Sequence, residues 1–290
     1  MSGISVGVLD LPSQRSAAWR QGFIQAAATE AVAYTEMRVT NEDFPGWRPP
    51  PRSILLTDTV SRGDWIEPQD WIILGSDPGE MLGRIRKAFP EWTHGEAVRH
   101  VSDRLATAAF LIDRGARLLD ASATMVKIPG LEAIDLRPVE SEQSLAEPAA
   151  GLKMYDVLPV PTGSGAVWTP DLFRYTRGQQ ADGGEHRIDM TGRGRIVIHG
   201  PYLSLPPGLW RATATFDVDP EGIVAFLRFD WGVGVEVVSE VAEITHPGRY
   251  SIVLERPWTT PGAAELRVWV SRPVFKGVFE LIDCQVERIG

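Results

Sequence analysis

From Trp210 to Val218 the chain changes character at every residue. Trp210, Ala212, Ala214, Phe216 and Val218 fall on one side, and Arg211, Thr213, Thr215 and Asp217 on the other. A period of two is a strand with one face buried and one face wet, and a slip of one residue would invert every side chain. The same texture returns over 223–229, 250–254, 266–270 and 278–289. Asp219-Pro-Glu-Gly222, His246-Pro-Gly248 and Thr260-Pro-Gly262 supply the turns between. With 195–199 and weaker runs near 154–160 and 186–190, about eight strands are expected. Many short alternating strands with Gly/Pro turns indicate an antiparallel sandwich or barrel.

The first half reads differently. Residues 4–9 form a short buried strand, followed by a helix over roughly 14–35 with Trp19, Phe23, Ile24 and Ala27 on one face. Residues 36–40, 54–56 and 71–74 are further short strands. Phe44 to Ser53, with Pro45, Gly46 and Pro49–Pro51, is a stiff loop. Ser76-Asp77-Pro78-Gly79-Glu80 supplies a helix cap, a proline at the first helical position and a first-turn acid. A second helix opens at the capping box Thr93-His-Gly-Glu96, with Val98, Val101, Leu105, Ala108, Ile112 and Leu119 on one stripe and Arg99, Arg104, Arg114 and Arg117 off it. The predicted fold class is therefore α+β multidomain: a small α/β domain over 1–137, a linker over 138–153 rich in Glu, Ser, Ala and Pro, and a β-sandwich over 154–290.

Charge and composition exclude several roles. The net charge is −9, and both halves are acidic, so neither offers the basic face that nucleic acid requires. The lone cysteine, Cys284, rules out an intramolecular disulfide and reads as a small core residue. The N-terminal residues have no basic then apolar signal pattern, and no run of 18 apolar residues exists, so a cytoplasmic protein without a membrane span is expected.

Ile198-His-Gly-Pro-Tyr-Leu-Ser-Leu-Pro-Pro-Gly-Leu-Trp-Arg211 resembles a stretch of the jelly-roll domains attached to bacterial polysaccharide-biosynthesis proteins and glycosyltransferases. Glu265-Leu-Arg-Val-Trp-Val270 and Phe279-Glu-Leu-Ile-Asp-Cys-Gln-Val-Glu-Arg-Ile289 are similar to their closing strands. The resemblance covers residues 155–290 and is shared by many carbohydrate-binding-module-like sandwiches. It implies a jelly roll that takes a glycan or polysaccharide, with other polysaccharide-biosynthesis proteins as further partners. It says nothing of residues 1–137.

Sugar-binding modules stack a pyranose on an aromatic ring and take its hydroxyls with carboxylates, amides or arginines. Trp210 alternates with alanines and is assigned to the core. Trp269 shares a strand face with Glu265 and Arg267, opposite Leu266, Val268 and Val270, and is the leading platform candidate; an interdomain contact is the plainer account of it. Trp231 and Trp258, beside Asp230 and Arg256, read as loop-edge aromatics. Tyr202, with His199 nearby, either joins the site or anchors a strand. Asp217-Val-Asp219 has a metal-binding spacing but enters a turn, where Asp serves the turn itself. No histidine pair has metal-site spacing, so no metal or cofactor is assigned and a structural calcium ion stays open. The strand-to-helix turns at 9–13 and 74–77 are better explained as caps than as phosphate sites. No catalytic residues stand out. Three readings follow: a non-catalytic glycan-binding protein, an enzyme of polysaccharide assembly, or a structural sandwich mediating homo-oligomerisation.

Overall fold

The computed structural model describes residues 6–37, 53–58, 66–67, 70–120, 122–128, 133–136, 143–176 and 186–290. The expected proline-rich loop from Phe44 lies outside these up to residue 52, as do residues 138–142 of the expected linker. The chain divides into two compact units, 1–92 with 107–148, and 93–106 with 149–290.

In the first unit, strands β1 (Val6–Asp10), β2 (Ala33–Met37), β3 (Ser53–Thr57), β4 (Trp71–Leu74) and β5 (Arg117–Leu119) form a parallel sheet in the order β2-β3-β1-β4-β5. β1, β3 and β4 are buried along their whole length, which is why they read as unbroken apolar runs. Helix α1 (Ser16–Thr29) buries Trp19, Phe23 and Ala27 among Val6, Val8, Ile54 and Leu56. It stops six residues short of the expected end, because Ala33–Met37 is already strand; Leu119, expected on a helical stripe, is also strand. In helix α2 (Pro78–Ala88), the Asp77 carboxylate accepts from the N–H groups of Gly79 (2.8 Å) and Glu80 (3.1 Å), so the acid caps the helix. Residues 143–148 run beside α2: Glu80 accepts from Ser144 Oγ and Leu145 N, and Arg86 pairs with Glu147. A hairpin of β6 (Met125–Lys127) and β7 (Ala133–Asp135) completes the unit.

Helix α3 (His94–Asp113) opens on the capping box foreseen at Thr93, with Glu96 accepting from Thr93 N (2.8 Å) and Oγ1 (2.7 Å). Its first turns belong to the second unit. Arg104 is buried, although the helical pattern places it on a wet face. A 3-10 turn at Ala150–Tyr155 sinks Leu152, Met154 and Tyr155 into the second unit, where the Tyr155 hydroxyl donates to the Ser204 carbonyl.

The second unit is an antiparallel β-sandwich. Its strands are β8 (Gly165–Trp168), β9 (Arg174–Tyr175), β10 (Arg187–Asp189), β11 (Arg195–Leu205), β12 (Gly208–Asp219), β13 (Ala225–Val233), β14 (Glu236–Ile244), β15 (Gly248–Trp258), β16 (Gly262–Val270) and β17 (Val278–Arg288). Sheet I has the order β10-β17-β12-β15, with β8 also on β17; sheet II has the order β14-β13-β16-β11-β9. The alternating residues of β12 point inward as the pattern requires, and Phe216 stacks on Phe229 of the opposite sheet at 4.8 Å. In β17 the inward residues are Phe279 and Leu281, then Cys284 and Val286. The change of parity has a cause: the β12–β17 register slips at Thr215/Phe216, so Ile282 is an extra residue and the faces exchange there. Cys284 is fully buried, and burial pushes its thiol far above the usual range, as befits an inert core residue.

Candidate functional site

The outward face of sheet II carries a row of polar side chains, one per strand. Ladder pairing sets Ser239 of β14 opposite Asp230 of β13, Asp230 opposite Arg267 of β16, Arg267 opposite His199 of β11, and His199 opposite Arg174 of β9. Five strands at the usual spacing make this row roughly 19 Å long. The next row is Val241, Arg228 and Trp269; the row on the other side holds Glu265 opposite Gly232 and Pro201.

Two carboxylates on this face are buried, Asp230 at 2% exposure and Glu265 at 6%. A buried charge persists only where partners replace water. Asp230 accepts from Arg228 Nε (2.6 Å), Ser239 Oγ (2.7 Å) and the indole N–H of Trp269 (2.8 Å). The indole is thereby fixed at its edge, and the Arg228 guanidinium lies 6.0 Å from its ring. Trp269 remains half-buried.

Glu265 accepts from Arg267 and from the Tyr202 hydroxyl (2.8 Å), and Tyr202 Oη lies 2.6 Å from His199 Nδ1. Arg267 also donates to the Gly234 carbonyl at 2.6 Å. The proton order follows from inventory. A charged Glu265 only accepts, so Tyr202 donates to it, and the Tyr202 oxygen accepts from Nδ1–H of His199. The Nε2 of a neutral His199 is then an acceptor for an incoming hydroxyl. Tyr202 reaches this position through an irregularity: the β11–β16 register shifts between Pro201 and Leu203, and Tyr202 sits at φ 66° in the left-handed region. A bulge of this kind re-aims a side chain.

Burial drives the Glu265 carboxyl up, but the Arg267 and Tyr202 hydrogen bonds outweigh it and leave it below the usual range. Burial and the bond to Glu265 push the Tyr202 hydroxyl up to about 12. Burial also lowers His199; the Glu265 charge opposes this, and those of Arg174 and Arg267 add to it. A histidine depressed on folding binds its proton more readily in the unfolded chain. Its contribution to stability is therefore complete above the ordinary value of 6.5 and is lost as the pH falls through the lower folded value. His199→Asn keeps an N–H for Tyr202 and removes the titration. Denaturation of wild type and variant at about pH 7.5 and about pH 5 is expected to give a smaller loss of stability for the variant; equal losses would exclude His199 as the source.

The structure brings Tyr202, Asp230, Glu265, Arg267 and Trp269 together on one face. It does not bring Trp231 and Trp258 there. Both are strand residues in the core, 0% and 5% exposed, with ring centroids 5.2 Å apart, and Trp231 also packs on Trp168. An indole enclosed by other rings has no face for a sugar, so these two expectations are corrected. Trp210 is buried as expected and donates its N–H to the Pro206 carbonyl. Asp217 is taken by Arg249 in a two-bond pair, 2.8 Å each, and among the described residues no cluster of three or more His, Cys, Asp or Glu could hold a metal ion. Sequence reasoning missed Arg174, Arg228 and Ser239. Arg228 alone had a signal, since it alternates with Asp230 on the wet side of its strand.

No protein-family model matches the chain, and no curated protein matches it either. Among solved structures the chain is similar, over 43% of its length, to 88% of a family 61 carbohydrate-binding module in complex with β-1,4-galactotriose (12% identity, TM-score 0.28). Over 44% of its length it is similar to 96% of the CBM22-1 xylan-binding domain from Paenibacillus barcinonensis Xyn10C (12% identity, TM-score 0.27). Over 43% it is similar to 99% of the C-terminal CBM6 of a laminarinase from Zobellia galactanivorans (10% identity, TM-score 0.25). Among the described residues no helix is long and apolar enough to cross a membrane.

Proposed function

We propose that the outward face of sheet II binds carbohydrate and that the protein is a non-catalytic glycan-binding protein serving polysaccharide assembly in the cytoplasm. One observation carries the binding reading: Trp269 is a half-buried indole pinned edge-on by Asp230, in a face of directional donors and acceptors. A pyranose needs that combination, an aromatic surface for its C–H face and fixed polar groups for its hydroxyls. The polar groups are already bonded to one another, so they are held in position before a ligand arrives, which lowers the entropic cost of binding. The biosynthetic setting rests on the resemblance of residues 198–211 and of the closing strands.

A glycan array followed by calorimetry on the full chain tests the reading. Binding of at least one oligosaccharide is expected, accompanied by a rise in melting temperature that grows with ligand concentration. An array without binders, supported by calorimetry showing no heat with any oligosaccharide, overturns it.

A further inference from the structure

Resting on that reading, we propose that the glycan taken by this face is acidic, a saccharide whose carboxylate sits against Arg174 and Arg99 at the Tyr202 end of the polar row. Arg174 is exposed, pairs with His199 across the ladder, and holds its guanidinium 5.7 Å from the Tyr202 ring. Arg99, on the α3 turns that belong to this unit, places a guanidinium nitrogen 3.4 Å from the Pro201 carbonyl. Both cations therefore converge on the bulge at residues 201–202.

Neither has a carboxylate within ion-pair distance among the described residues. Arg228, Arg249, Arg256 and Arg267 each hold one, on Asp230, Asp217, Glu236 and Glu265. A chain of net charge −9 has acids to spare, yet these two sites go without. The exposed Glu96 is close enough to feel both charges, but its oxygen is engaged by Thr93 in the helix cap. Burial and the neighbouring charge of Arg174 together press the Arg99 guanidinium below its usual value, so the two cations oppose each other. An anion between them relieves that opposition. Guanidinium forks match the planar, two-oxygen geometry of a carboxylate, and His199 Nε2 is left to accept from a neighbouring hydroxyl of the same sugar.

The test uses the full chain and matched pairs of oligosaccharides: oligouronates and the neutral oligosaccharides made by reducing their carboxyl groups, in the galacto, gluco and manno series. At least one acidic member is expected to bind about tenfold or more tightly than its reduced counterpart, in line with a charge-assisted hydrogen bond, and to weaken as salt rises. Arg174 is exposed, so Arg174→Gln leaves the fold intact; it is expected to bring the acidic ligand towards parity with the neutral one, while Arg174→Lys retains part of the preference. Neutral members binding as well as acidic ones would overturn the acidic preference and leave the glycan-binding reading standing. An acidic preference untouched in both Arg174→Gln and Arg99→Gln would overturn its location. No binding by any member of any pair overturns the preference, and the array decides separately whether the wider reading falls with it.

Discussion

Replacing Trp231 with alanine is expected to destabilise the sandwich by about 3–5 kcal/mol, a large share of what holds a domain folded. The ring is fully buried between the sheets, packed on Trp168 at 5.7 Å and Trp258 at 5.2 Å, and its removal leaves a cavity that the β13 ladder on both sides cannot close. One term works the other way. The Trp231 indole N–H is buried with no acceptor among the described residues, so the variant also sheds an unsatisfied donor costing about 1–3 kcal/mol. The net effect belongs nearer the lower bound. Trp231→Phe removes the orphan donor and keeps most of the volume, and is expected to lose clearly less. Urea denaturation followed by circular dichroism measures both. A Trp231→Ala protein as stable as wild type but unable to bind sugar would return this residue to the site.

Trp269→Ala is expected to show the opposite balance. The side chain is half-buried and lies outside the inter-sheet core, so its loss creates no enclosed cavity. Asp230 loses one donor but keeps Arg228 and Ser239, and the stability cost is expected at about 1 kcal/mol, the scale of one hydrogen bond. Glycan affinity is expected to fall about thirtyfold or more, the loss typical of truncating an aromatic anchor worth about 2 kcal/mol. Trp269→Phe separates ring from N–H: it keeps a stacking surface without the bond to Asp230 and is expected to retain an intermediate affinity. Calorimetric titration of the three proteins with one binding oligosaccharide decides. Full affinity in Trp269→Ala would remove the platform from the account.

Much of this was legible in the residues because β-structure writes its faces with a period of two. That period placed Trp210 inside and set Trp269, Arg267 and Glu265 on the outer face before any pairing was known. The expected strands stop at residues 229 and 254, short of Trp231 and Trp258, which left both rings at loop edges. In fact β13 runs on through Gly232 to Val233, and Pro257 sits inside β15, opposite Leu209. Proline is tolerated there because β15 is the last strand of sheet I, where one side of the ladder needs no N–H. The rest of the site depends on pairings between distant segments. Arg174 belongs to a two-residue strand whose partner is His199, and no local pattern joins them. The bulge that turns Tyr202 towards Glu265 is equally silent in sequence, although the Gly-Pro-Tyr run marks where it falls.

A glycan held on the outward face of sheet II meets Trp269 and none of the core indoles. The chain has 10 tryptophans, and each contributes one indole N–H signal in a nitrogen-15 correlation spectrum, assignable by single Trp→Phe variants. Titration with a binding oligosaccharide is expected to move the Trp269 indole signal in proportion to occupancy, while those of Trp210, Trp231 and Trp258 stay in place. Shifts in the core indoles with Trp269 unmoved would place the ligand elsewhere and contradict the account.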